Sequence, residues 1–348
     1  MKKMVPLRSV GTLAACILAF LLASCTRDAQ SHDRAAGPDM EGLSYTNFDV
    51  SPDEKTIVFS GAGDGGLGLY LLDLTTNRVT RLIDTPAYEN YPAFSPDGKS
   101  VVYQSAKDLS APRHLFLRSL DGQHVRQLTD TPGTSDNYPC FSPDGKQIVF
   151  ARSQLFHDGA RGENTWSDID ISLIHRDGSA LRQLTHFHSE GEVCPKFCPD
   201  NRHVLYEHPM VLGTPLTGIS GKAPIEKLDT AGHDPVQKVV HFGEDIDVFP
   251  YPSPDGQSLV FCRSFGGGGD EYLYRAPLWG DASPSLVSGN PGVCYVHLVI
   301  SRNGRHIYCK GMYGPILVVM NANGSGLRQI ADSSLFSDPM HWKPAPQQ

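Results

Sequence analysis

Positive charge is in short supply in this chain. Its 348 residues carry 30 Lys and Arg against 38 Asp and Glu, a net charge of -8. A surface of that sign repels nucleic-acid phosphates, so nucleic acid is excluded as a partner. Two signatures of chemistry are also missing. No G-x-S-x-G occurs, so there is no strand-turn-helix elbow to present a hydrolase nucleophile. No C-x-x-C occurs either, so the cysteines are not spaced as a zinc site. Helix-length amphipathic periods are absent beyond the first 25 residues, which points to an all-β fold. Turn formers are plentiful instead, with 34 Gly and 26 Pro, and hydrophobic residues at 40% are enough for a sizeable core.

Residues 1–24 read as a lipoprotein signal peptide. Lys2, Lys3 and Arg8 make a basic start, and the apolar stretch Leu13–Leu22 is too short to span a bilayer. The segment Leu22-Ala23-Ser24-Cys25 resembles the bacterial lipobox, which implies cleavage before Cys25, lipid on its thiol and attachment to a membrane through that lipid. Residues 25–42 are then the lipidated cysteine and a flexible polar tether. Thr26 stands where an aspartate would resemble an inner-membrane retention signal, so the resemblance implies the periplasmic side of the outer membrane in a Gram-negative cell. The remaining 43–348 form the folded domain. Six cysteines lie in it: Cys140, Cys194, Cys198, Cys262, Cys294 and Cys309. Cys194 and Cys198 would sit about 13 Å apart on a strand and cannot bond to each other. All six are expected as small buried thiols, with one disulfide between neighbouring repeats left open.

The informative feature is internal repetition. Phe94-Ser95-Pro96-Asp97-Gly98-Lys99 returns as Phe141-Ser142-Pro143-Asp144-Gly145-Lys146, with looser copies at Val50–Lys55, Phe197–Arg202, Pro252–Gln257 and Ile300–Arg305. The prolines at 52, 96, 143, 199 and 254, and Arg302 in the decayed copy, mark intervals of roughly 40–55 residues. Each turn is followed by a β-rich run such as Thr56-Ile57-Val58-Phe59 or Gln147-Ile148-Val149-Phe150, then a second strand, an Asp-Gly or Asn-Gly hairpin and a closing segment such as Arg126-Gln127-Leu128-Thr129. Four short antiparallel strands per unit are the signature of a propeller blade. Six phases and a partial seventh, Trp342-Lys343-Pro344, predict a six-bladed β-propeller, with seven blades as the alternative. The last blade is expected to close by exchange of strands between the chain ends.

This repeat resembles that of the β-propeller domain of TolB and its relatives, a form also present in prolyl oligopeptidase propellers, over about residues 43–344. The resemblance implies the propeller fold; the repeated motif builds a turn and not a site. The longest insertions, at Ser153–Ser167 and Pro209–Lys222, are expected on the face opposite the Ser-Pro-Asp-Gly turns, where binding loops would gather around the channel mouth.

Several polar groups converge on that rim. Five positions before the phase residue stand Asn47, Tyr91, Tyr138, Cys194, Phe249 and His297, and just upstream Glu89, Asn90, Asp136, Asn137, Glu190, Glu192, Asp245 and Asp247. Arg152, Arg263 and Lys310 end the second strands. Aromatic rings beside carboxylates and a few cations suit a sugar, a peptide terminus or a cation. No cofactor is expected. The one candidate for a divalent ion is His186-Phe187-His188, whose alternate strand positions would put two imidazoles on one side. The glycine runs at 61–66 and 266–269 are read as blade loops, because no helix follows to hold a phosphate.

Three functions fit this pattern. The first is a lipid-anchored envelope module that binds protein or glycan through its loop face. The second is a glycan-active enzyme, a polysaccharide lyase or hydrolase, with its site at the channel mouth. The third is a non-catalytic subunit of an envelope complex. The oligomeric state stays open.

Overall fold

The computed structural model describes residues 47–331, apart from 64–65, 84, 109, 159–162, 188–192, 208–223, 235, 241–245, 265–270, 281–282, 289–294 and 312–316. Among the described residues there is no helix. Blade 1 is β1 (Phe48–Val50), β2 (Thr56–Gly63), β3 (Gly66–Asp73) and β4 (Arg78–Arg81). Blade 2 is β5 (Tyr88–Phe94), β6 (Ser100–Ala106), β7 (His114–Ser119) and β8 (Val125–Gln127). Blade 3 is β9 (Thr134–Phe141), β10 (Gln147–Asp158), β11 (Glu163–His175) and β12 (Arg182–Gln183). Blade 4 is β13 (Lys196–Phe197), β14 (His203–Glu207), β15 (Ile225–Asp229) and β16 (Gln237–Val240). Blade 5 is β17 (Ile246–Pro252), β18 (Ser258–Ser264), β19 (Glu271–Pro277) and β20 (Ser285–Ser288). Blade 6 is β21 (Tyr295–Ile300), β22 (His306–Gly311), β23 (Leu317–Asn321) and β24 (Arg328–Ala331). Every sheet pairs its four strands in chain order, giving the six blades expected.

Local chemistry builds the turn between the first two strands of each blade. In blade 3 the Ser142 hydroxyl donates to Asp144 Oδ1 at 2.7 Å and accepts the Gln147 N–H at 2.9 Å, while Asp144 Oδ1 also accepts the Lys146 N–H at 3.1 Å. The fourth residue of the turn has positive φ in all six copies: Glu54, Gly98, Gly145, Asn201, Gly256 and Gly304. That backbone state suits Gly and Asn and is strained for Glu54.

Alternation along the second strand then assembles the ring. In blade 2, Val101 and Tyr103 pack against blade 1 with Val58 and Leu69, whereas Val102 packs against Phe141 and Ile148 of blade 3. The same two-sided sharing runs through Val149 and Phe150, Val204 and Leu205, Leu259 and Val260, and Ile307 and Tyr308. Successive strand residues point to opposite faces, so each blade feeds two seams and none can bury both faces alone.

Ring closure differs from the expected strand exchange. Among the described residues no blade mixes strands from the two chain ends. Blade 6 closes on blade 1 through side chains: Val299, Tyr308, Leu317 and Val319 join Phe48, Ile57, Phe59 and Tyr70 in one buried cluster. Glu54 adds a polar clasp, accepting from Tyr308 Oη at 2.9 Å and lying 2.6 Å from His306 Nδ1, with Asn303 also bonded. Four consecutive strands already complete each sheet, so exchange is not needed to finish a blade. The counterpart segment at the C-terminal end, including Trp342, lies outside the described residues.

The insertion at Ser153–Ser167 is also corrected. It is no irregular loop but a prolongation of the β10–β11 hairpin, paired from Gln154↔Ser167 to Asp158↔Glu163 past a bulge at Arg152/Gln154. Continuing the ladder satisfies backbone groups that a long loop would leave to solvent. The insertion at Pro209–Lys222 lies outside the described residues. Cys140, Cys198 and Cys309 are free thiols, and Cys194 and Cys262 are buried; Cys294 falls outside the described residues, as do the leader, Cys25 and the tether.

Candidate functional site

The six innermost strands surround the axis, and their ends away from the Ser-Pro-Asp-Gly turns form the channel mouth. Each of four innermost strands carries a bulge there. The register slips between Asn90 and Ala93, opposite Val149/Ala151 at Asn137–Cys140, between Val248 and Tyr251, and between Val296 and Leu298. The residue at each slip has positive φ: Tyr91 (49°), Tyr138 (56°), Phe249 (55°) and His297 (57°). Left-handed backbone at bulky side chains is an outlier that surrounding structure must hold in place.

The bulges aim their rings at one another. Tyr91 and Tyr138, on neighbouring blades, meet edge to face with centroids 4.3 Å apart and hydroxyls 3.4 Å apart. On the other side His297 sits 5.2 Å from the Phe48 ring and 6.4 Å from Phe249, its Nε2 3.0 Å from the Phe48 carbonyl oxygen. Beside Tyr91 a buried amide network joins blades 1 and 2. Asn90 Oδ1 accepts from the Tyr91 N–H at 2.8 Å, Ser60 Oγ at 2.6 Å and Asn47 Nδ2 at 3.0 Å.

The carboxylates divide into two kinds. Asp136 and Arg152 form a buried bidentate pair across β9 and β10, at 2.6 and 2.9 Å. Asp247 and Arg263 repeat it in blade 5 at 2.6 and 2.8 Å, with the guanidinium 4.9 Å from the Tyr274 ring centroid. These four expected ligand groups meet as partners of each other inside their blades. Glu89 is different. It is buried, its Oε1 accepts from Thr85 Oγ1 at 2.7 Å, and among the described residues its Oε2 has no hydrogen-bond partner. Burial raises its pKa to about 7 against the opposing pull of the Thr85 hydroxyl and the Arg81 and Arg118 charges.

The channel itself is charged. Asp49 of blade 1 accepts the Phe94 N–H at 2.7 Å and the Val50 N–H at 2.9 Å. Burial nonetheless lifts its pKa to about 6, with Lys196 of blade 4, three blades round the ring, pulling the other way. Burial, reinforced by Lys196 and Lys310, drives His297 down to about 3, so its imidazole is neutral at physiological pH. Lys310 lies in β22 opposite Val296. Asn137, opposite Ala151, contacts the Ser135 carbonyl at 3.5 Å.

Glu192, Asp245 and His188 lie outside the described residues. His186 follows β12 in an irregular, exposed segment, its Nδ1 3.0 Å from Gln183 Nε2, so the expected strand alternation is not seen there. Among the described residues no group of three or more His, Cys, Asp and Glu is placed to share an ion. Sequence reasoning passed over Asp49, Lys196 and the pairing of Asp136 with Arg152. A signal for the pairing was there: only blades 3 and 5 combine Asp seven positions before the phase proline with Arg nine after it.

Comparison with known proteins agrees with this architecture. The TolB beta propeller domain matches residues 30–233. The Tol-Pal system protein TolB of Francisella tularensis subsp. mediasiatica is 30% identical over 79 residues, 23% of this chain and 18% of that protein. The chain thus spans less than a fifth of the length of the relative it matches. In three dimensions TolB from Acinetobacter baumannii superposes with a TM-score of 0.58 at 16% identity, over 82% of this chain and 63% of that one. Oligogalacturonate lyase from Vibrio parahaemolyticus gives 0.57 at 16% identity, over 85% and 80%. These structural likenesses concern the fold.

Proposed function

The chain belongs to the TolB beta propeller domain family, and from that premise we propose that it is a binding module of the cell envelope. Lipid on Cys25 would hold it to the periplasmic side of the outer membrane, and the channel mouth would take a segment of a protein or a glycan. The observation that carries this reading is the Tyr91–Tyr138 pair. Two bulky residues held at positive φ bring their rings together edge to face beside the Asn47–Ser60–Asn90 network. Rings for stacking and amides for hydrogen bonds are what a specific polar ligand requires. The test is crosslinking and capture from detergent-solubilised envelope, using the full chain and a Tyr91→Ala, Tyr138→Ala variant. A reproducible partner lost in the variant supports the reading. No reproducible partner, or equal capture by the variant, defeats it. Cofractionation at fixed stoichiometry would mark a permanent subunit rather than a transient binder.

One observation favours an enzymatic second reading. Glu89 is a buried carboxyl at the mouth, held near pKa 7 and with one oxygen unpartnered among the described residues, as a general acid or base would be. By analogy with the lyase that shares the fold, oligogalacturonate is the substrate to try. Absorbance from an unsaturated uronide product, lost in Glu89→Gln, would support this reading, and its absence with and without divalent cations would dismiss it.

A further inference from the structure

A groove of about 570 Å³ opens on the opposite face, between blades 2 and 3. The repeat explains its place. The residue after each third strand donates its N–H to the carbonyl that follows the Ser-Pro-Asp-Gly turn: Leu74 to Lys55, Leu120 to Lys99, Arg176 to Lys146, Thr230 to Arg202, Leu278 to Gln257 and Ala322 to Arg305. In blades 1, 2 and 5 that leucine packs into the seam with the preceding blade. Blade 3 has Arg176 instead. Its guanidinium reaches across the seam to Asp97 Oδ2 and Ser100 Oγ, both at 3.1 Å, and lies 5.6 Å from the Phe141 ring centroid. Adjacent blades diverge outward, so a cation laid along the floor leaves open the wedge that a leucine would fill.

The groove's chemistry is that of an anion site with an apolar wall. Arg126 is exposed and donates to the Asp177 carbonyl oxygen at 3.1 Å. The Asp177 carboxylate is turned to its own hairpin, accepting the Ser179 N–H at 2.9 Å and Oγ at 2.6 Å. Leu117 and Val125, the latter 52% exposed, supply the wall. Val125 and Arg126 belong to β8, the outermost strand of its blade. His124 and Leu128 bond inward to Ser119 and Leu115, so the ladder turns the amides of Val125 and Gln127 outward. An open strand edge beside a guanidinium suits an extended polypeptide carrying carboxylates.

We propose that this groove is a second recognition site, for an extended acidic peptide segment of a partner protein. The peptide's backbone runs along β8, a carboxylate engages Arg126 on one face of the added strand, and the neighbouring apolar residue, on its other face, lies beside Val125. The site is separate from the channel mouth, so Tyr91→Ala with Tyr138→Ala leaves it intact. The test is fluorescence anisotropy of the full chain with a labelled Val-Glu-Val-Glu-Val-Glu peptide and its Gln counterpart. Wild type should bind the Glu peptide at least about tenfold more tightly than the Gln peptide, and more weakly as salt rises. Arg126→Glu and Arg176→Leu should each weaken binding by about tenfold or more. Arg176→Leu restores the residue of blades 1, 2 and 5 and should keep or raise the melting temperature, separating lost binding from lost fold. Equal affinity for the two peptides overturns the proposal. So does undiminished binding in both variants, or binding of a galacturonate oligomer at Arg126 without binding of the peptide.

Discussion

Glu89 faces Ser105 across β5 and β6 at the register position where Asp136 meets Arg152 in blade 3 and Asp247 meets Arg263 in blade 5. One blade therefore buries a carboxyl without the guanidinium that neutralises it in two others. An acid whose folded pKa is raised holds its proton more firmly folded than unfolded. Its contribution is full below the ordinary value of 4.5 and falls as pH rises toward 7. Relative to Glu89→Gln, wild type should lose on the order of 2–3 kcal/mol between pH 4.5 and 8. Urea midpoints of both proteins across that range measure it. Parallel pH profiles would show that Glu89 ionises freely.

The Asp136–Arg152 pair should behave as a buried ion pair. Arg152→Met alone leaves a buried carboxylate without its partner and should cost about 3–5 kcal/mol. Adding Asp136→Leu removes that charge and should recover most of the loss. A double-mutant cycle by denaturant unfolding tests this, and a double variant as unstable as the single one would contradict it.

Glu54 holds a strained backbone in exchange for the clasp that closes the ring. Glu54→Gly relieves positive φ, worth about 1 kcal/mol. It also deletes the bonds to His306, Tyr308 and Asn303. Hydrogen bonds to a charged group contribute about 1.5–3 kcal/mol each, so the net change should be destabilising. Hydrogen exchange should rise first in β1 and β22, where blades 1 and 6 meet. A stabilised variant would mean that the clasp contributes little.

His297 should stay neutral well into acid. A histidine lowered to about 3 by burial contributes stability that is present above 6.5 and is lost as pH falls from there toward 3. Its ring resonances in a two-dimensional NMR titration should not move between pH 7 and 5. A midpoint near 6.5 would place the ring in water.

The turns and the strand alternation were legible in the sequence because their causes are local. Ser142, Asp144 and Gln147 bond within five residues, and Val101, Val102 and Tyr103 announce two buried faces by their spacing alone. Repetition of that local pattern was enough for six blades and for the family. The site was less legible. That Tyr91 and Tyr138 sit at one rim followed from the repeat phase, but their left-handed backbone and their contact follow from bulges set by pairing with the second strands. The hairpin at 153–167 looked like a loop because its ladder is visible only once β10 and β11 are aligned.

What the sequence by itself determined was therefore the unit: a four-stranded sheet with a self-bonded turn and two oily faces. Tertiary structure alone decided how the units meet. It set Glu54 against His306 across 252 residues, laid Arg176 over the blade before its own, and left Glu89 buried opposite a serine. Each of these depends on which side chains the ring brings together from distant blades, and no local propensity encodes that.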